Sequence, residues 1–166
     1  MEKETIFSSK IKNTGIFSFR EFYRFCHQWL TDEANLDVIE DKYKENLKGN
    51  SKDIEIEWTC IRKITDYFMF EIKAKFKIDD LTDVEISREG AKIKTNKGAV
   101  EVGIKGNLVR DYDGKFEKSG FLKFLRGIYE KWVIASRIKQ YEEKLAGDCD
   151  EFLNQAKAYL DLEGKK

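Results

Sequence analysis

Phe121 to Leu162 reads FLKFLRGIYEKWVIASRIKQYEEKLAGDCDEFLNQAKAYLDL, and its spacing decides the architecture. Phe121, Leu125, Ile128, Trp132, Ala135, Ile138, Tyr141, Leu145, Cys149, Phe152, Ala156 and Leu160 follow one another in steps of three or four, the period of one helix face. Lys123, Arg126, Glu130, Lys131, Arg137, Lys139 and Glu142 begin the solvated side. At 1.5 Å per residue the helix runs roughly 60 Å, about twice the width of a small domain. One part of it is therefore expected to overhang, kink or meet a partner. Leu122, Phe124, Tyr129, Val133 and Ile134 widen the apolar face in the first half only. That predicts a first half buried by the domain and a narrower second half, 146–166, that protrudes as a helical extension. Gly147 can end a helix in the left-handed conformation, and Asp148 with Glu151 forms a capping pattern. The stripe nevertheless keeps its phase from Leu145 through Cys149 to Phe152, which favours a continuous or kinked helix over a hairpin.

A chain of 166 residues supports one domain with its own core, so residues 1–166 are read as a single α+β domain. Thirty-one basic and thirty-one acidic residues are interleaved along it, which announces no basic face for a phosphate backbone. Nucleic acid is not an expected partner. With 13% aromatic residues the chain needs a buried interior, which excludes disorder. Cys26, Cys60 and Cys149 are far apart and none forms a Cys-x-x-Cys pair, so they read as buried free thiols rather than a zinc site. No apolar run reaches the 18 or so residues of a membrane span, and Met1-Glu2-Lys3-Glu4 does not open like a signal peptide. A cytoplasmic protein is expected.

The remainder alternates as strands do. Glu4 to Asn13 reads as an edge strand. Ser18 then caps a helix, with Glu21 completing the capping box and Phe17 stapled to Phe22. That helix carries Phe19, Phe22, Tyr23, Cys26, Trp29 and Leu30 on one face. Leu36 to Gly49 is taken as a strand leading into a turn at Lys48 to Ser51. Ile54, Ile56, Trp58 and Cys60 point one way and Asp53, Glu55, Glu57 and Thr59 the other. After a turn near Thr65-Asp66, Phe68, Phe70, Ile72, Ala74, Phe76 and Ile78 alternate with Met69, Glu71, Lys73, Lys75 and Lys77. The acidic wet face of one strand and the basic wet face of the next are placed side by side. A short hairpin is expected around Arg88-Glu89-Gly90, a further turn at Lys94 to Gly98, and a last strand from Val100 to Leu108, with Gly106 a bulge or close-approach point. The expected fold is an antiparallel sheet of about six to seven strands covered by a short N-terminal and a long C-terminal helix.

Across residues 4 to 145 this element order is similar to the helix-grip arrangement of START-like proteins, in which a curved antiparallel sheet wraps a long C-terminal helix. That resemblance implies a cavity for an apolar ligand between sheet and helix. The chain departs from it in showing one helix after the first strand and in the greater length of its last helix. The stretches Phe22 to Cys26, Asp53 to Trp58 and Lys123 to Tyr129 also resemble an uncharacterised family of small archaeal proteins, which implies no activity.

Catalytic chemistry finds little support. The single imidazole, His27, diverges from Cys26 by about 100° on a helix. Glu55 and Glu57 sit roughly 7 Å apart on one strand face, a spacing open to paired-carboxylate work, but the facing lysines favour a solvated charge ladder. Asp79, Asp80 and Asp83 lack the glycine-containing loop of an EF-hand, and Gly103 to Asn107 lacks the spacing of a phosphate or dinucleotide loop. No metal and no cofactor is expected. Two readings remain. One is a non-enzymatic interaction or assembly protein whose terminal helix docks a protein partner or a second subunit through Leu145, Cys149, Phe152, Ala156 and Leu160. The other is a module of helix-grip type that holds an apolar small molecule against Trp58, Cys60, Phe70, Phe76, Tyr129 and Trp132.

Overall fold

In the computed structural model, which describes residues 1–165, the chain folds as β1 (Glu2–Phe17), α1 (Phe19–Gln28), β2 (Asp37–Lys48), β3 (Ser51–Lys63), β4 (Phe68–Arg88), β5 (Ala91–Arg110), α2 (Gly120–Ile128) and α3 (Ala135–Lys165). Wide π-type turns over Trp29–Glu33 and Tyr129–Val133 prolong α1 and α2. The strands form one antiparallel sheet in the order β1-β5-β4-β3-β2, so β1 is an edge, as its weak alternation suggested.

Five strands replace the six to seven expected. The difference lies in β4 and β5, which are 21 and 20 residues long and pair along nearly their whole length. The residues read as a turn at Lys94 to Gly98 are strand. What interrupts the ladder is a bulge between Asp79 and Thr82, where Asp80 takes a φ of 53°. Gly98 lies against it. A Cβ there would stand 3.1 Å from the Asp79 carbonyl oxygen and 3.2 Å from Leu81 Cα, so glycine is required by close backbone approach across a bend. The pattern of irregular residues was real, and its cause was a bulge shared by two long strands. The hairpin at Glu89-Gly90 does occur, with both residues at positive φ as a tight two-residue connection demands.

Local signals elsewhere act as read. Ser18 Oγ accepts the Glu21 amide, and Phe17 meets Phe22 edge to face at 6.0 Å. Glu57 lies opposite Lys75 and Glu55 opposite Lys77 in register, and Lys75 Nζ comes within 3.7 Å of Glu57. On the other face Ile54, Ile56, Trp58, Cys60, Phe70, Ile72, Phe76 and Ile78 are buried. That apolar face must be covered, and α3 covers it together with α1 in one continuous core.

The terminal helix differs most from expectation. The chain breaks at Ile134, whose φ of −119° and ψ of 11° are not helical, while Gly147 passes through the middle of α3 without ending it. The burial of the two halves is also reversed. Leu145, Cys149, Phe152, Ala156 and Leu160 are each at most 3% exposed, so the stretch expected to protrude lies on the sheet. Phe121, Phe124, Trp132 and Val133, in the half expected to be buried, are 63–73% exposed. The sheet supplies the reason. Its strands are long enough to lie under about 30 residues of helix, and Gly106 on β5 opens a seat for α3 at Cys149: a Cβ at Gly106 would fall 2.7 Å from its Sγ. The narrow stripe is the tightly packed one, and width of apolar face did not measure burial.

Candidate functional site

Two surfaces emerge near the break at Ile134. The first is the outer face of α2 and the turn after it. Ser119 caps α2 by accepting the Leu122 amide. The helix then turns its one interior cation inward: Arg126 Nη1 lies 3.7 Å from the buried Asp111 and 3.5 Å from Glu117, and its Nη2 lies 3.4 Å from Glu2. Glu130, one turn on, accepts from the Tyr67 hydroxyl and lies 3.5 Å from Arg110. With both polar anchors facing the body of the protein, helical geometry sends Phe121, Phe124, Leu125, Ile128 and Trp132 outward. The helix is amphipathic, and it is mounted with its apolar face to solvent.

The exposed charges around that face are mostly basic. From Lys115 to Lys139 the sequence holds seven basic residues against two acidic ones, Glu117 and Glu130, in a chain of zero net charge. Glu117 faces Arg126 and the chain's amino terminus, and Glu130 is drawn in by Tyr67 and Arg110. Lys115, Lys118, Lys123, Lys131, Arg137 and Lys139 are exposed. Lys131 Nζ sits 5.2 Å from the ring centre of Trp132, a cation held over an aromatic face.

The second surface is a cleft of about 460 Å³ between the β3–β4 connection and the start of α3, lined by Tyr67, Phe68, Tyr129, Ile134, Arg137 and Tyr141 among others. Tyr67 and Tyr129 meet edge to face at 5.5 Å, and the rings of Phe68 and Tyr141 lie tilted at 5.0 Å. Burial and the hydrogen bond to Glu130 push the Tyr67 hydroxyl well above the ordinary phenol range, so it stays a donor.

The residues expected to line a ligand cavity are not brought together. Trp58, Cys60, Phe70 and Phe76 share the inner sheet face and are at most 3% exposed. Trp58 packs on Phe76 at 4.8 Å and Tyr23 at 5.3 Å, and its indole N–H donates to Glu40. The helix residue facing Phe70 is Tyr141. Tyr129 belongs to the cleft, while Trp132 is 73% exposed on the outer face. The register on the sheet was right; the phase of the helix against it was not.

The thiols and the imidazole are occupied structurally. Burial pushes the Cys60 and Cys149 thiols up to about 12 and raises Cys26 as well, so all three remain protonated and poor nucleophiles. His27 packs edge-on against Trp58 at 5.6 Å. A polar chain that alternation alone hid runs across the outer sheet face, where Lys73 Nζ donates to Thr59 Oγ1 at 2.7 Å and that hydroxyl donates to Asp41. It satisfies a buried hydroxyl between a cation and a carboxylate. Among the described residues no group of three or more His, Cys, Asp or Glu side chains is placed to hold a metal, and no helix is long and apolar enough to cross a membrane. Compared with protein-family models, curated proteins and solved structures, the chain matches none.

Proposed function

We propose that this chain is a non-enzymatic interaction protein whose docking surface is the outward apolar face of residues 121–133. The observation that carries the reading is the inversion of α2: Arg126 is ion-paired inward while Phe121, Phe124 and Trp132 stand in water. Leaving such a contiguous apolar face uncovered opposes folding stability, and in a soluble domain a patch of this kind marks a surface that meets something else. Docking through the C-terminal helical region is kept from the sequence reading; the stripe Leu145 to Leu160 is assigned to the core and the surface moves to the preceding turns. The buried, protonated thiols and the packed histidine support a non-enzymatic role.

Replacing Phe121, Phe124 and Trp132 with serine removes the surface without touching the core. The full chain and this variant, with equal circular dichroism, are compared by light scattering over a concentration range and by sedimentation with the soluble and membrane fractions of a cell extract. The reading requires an association of the full chain that the variant has lost. Equal behaviour of the two proteins in every fraction overturns it.

A second reading takes the cleft beside Tyr67 and Tyr129 as the seat of an apolar small molecule with an acidic group, directed by Arg137. The element order similar to helix-grip proteins and the volume of about 460 Å³ support it. Titration with a fluorescent fatty acid, lost on Ile134→Trp, tests this reading.

A further inference from the structure

We infer that the occupant of the 121–133 face is the surface of an anionic lipid bilayer, on which α2 and the turn after it lie in the headgroup region. This rests on the docking reading above and names its partner. A bilayer interface asks for three features at once: a helix lying parallel to the surface, large apolar and aromatic residues on its outer side, and basic residues at the rim. Phe121, Phe124, Leu125, Ile128, Trp132 and Val133 supply the apolar side, and each is 36–73% exposed. Trp132 with Lys131 above its ring places an indole and an ammonium where an aromatic belt and phosphate headgroups meet. The exposed rim of Lys115, Lys118, Lys123, Lys131, Arg137 and Lys139 is cationic because it outnumbers the two acids of this stretch, of which Glu117 is ion-paired to Arg126 and Glu130 is drawn inward by Tyr67.

Charge also separates this occupant from a second copy of the chain. A two-fold dimer through the same patch sets the patch against itself, so the cationic rim of one protomer meets that of the other. A negatively charged surface gains from the rim that a self-contact suffers from. The remainder of the sequence carries 24 basic against 29 acidic residues, so the positive excess is a property of this segment and not of the chain at large.

The test uses the full chain with vesicles of phosphatidylcholine, with and without phosphatidylserine. Co-sedimentation and the blue shift of tryptophan fluorescence report binding. Expected is binding to the phosphatidylserine vesicles that weakens as salt is raised. Lys118→Glu with Lys123→Glu and Lys131→Glu lowers it on the order of a hundredfold or more, and Phe121→Ser with Trp132→Ser abolishes it. Trp132→Phe separates insertion from charge, keeping binding while losing the blue shift. Equal binding to neutral vesicles overturns the anionic assignment. No vesicle binding, together with self-association or soluble-fraction binding that Phe121→Ser and Trp132→Ser remove, overturns the bilayer and leaves the docking reading standing. No association of any kind overturns both.

Discussion

Arg126 Nη1 lies 3.7 Å from Oδ2 of Asp111, a carboxylate only 2% exposed on the turn that leaves β5. The same oxygen accepts the Phe116 amide at 3.1 Å, and Asp111 itself takes a φ of 52° to reach that position. The pair fixes which way α2 faces. Arg126→Met leaves the buried Asp111 carboxylate without its cation, Asp111→Asn releases Arg126 from the turn after β5, and each is expected to cost about 1–3 kcal/mol. Urea unfolding followed by circular dichroism checks it; an unchanged midpoint for both variants would remove the pair as the anchor of α2.

Gly106 is a contact position. Alanine there meets Cys149 Sγ at 2.7 Å, and overpacking of this kind costs about 1–3 kcal/mol. Cys149→Ala vacates the sulfur, so the double variant is expected to be more stable than the sum of the single losses by on the order of 1 kcal/mol. Additive losses in a double-mutant cycle would mean that α3 does not sit where Gly106 places it.

The halves of the terminal region differ in stability as they do in burial. Phe152→Ala is expected to cost about 3–5 kcal/mol and Phe124→Ala less than about 0.5. Truncation after Ala146 removes Cys149, Phe152, Leu153, Ala156 and Leu160 from the core and is expected to abolish cooperative thermal unfolding. A truncated chain that melts as the full one does would return this segment to the solvent.

Glu71 gives the fold an acid-sensitive contact. Burial opposes its ionisation, but Lys3 Nζ at 2.8 Å and Asn107 Nδ2 at 3.0 Å outweigh burial and hold the carboxyl below its usual range. A folded value below the unfolded one, about 4.3, gives stabilisation that is complete above the unfolded value and lost as pH falls through the folded one. The stability difference between the native chain and Glu71→Gln should therefore shrink as pH is lowered from about 7 to about 3. A difference that stays constant across that range would show that the carboxylate form carries no advantage.

Cys26, Cys60 and Cys149 are at most fractionally accessible and protonated at neutral pH. A thiol reagent such as Ellman's is expected to leave the native protein unmodified near pH 8 and to titrate three thiols in denaturant. Rapid native reaction of any of them would identify an opening of the core.

Much of this protein was written in local pattern. The N-cap at Ser18, the staple of Phe17 on Phe22, the dry face from Ile54 to Cys60 and the pairing of Glu57 with Lys75 each depend on residues a few positions apart or on strictly alternating strands, where chemistry and geometry are read together. The identity of the α3 stripe was equally plain. Which half of the terminal helix the protein would bury was not, because an apolar stripe states that a face wants cover and not what will cover it. Gly106 under Cys149, the bulge at Asp80 that lets β4 and β5 run on past Gly98, and the inward pull of Asp111 on Arg126 are contacts between residues 15 to 43 positions apart. Those long-range contacts, each set by close packing or by pairing a buried charge, placed α3 on the sheet and turned Phe121, Phe124 and Trp132 to the outside.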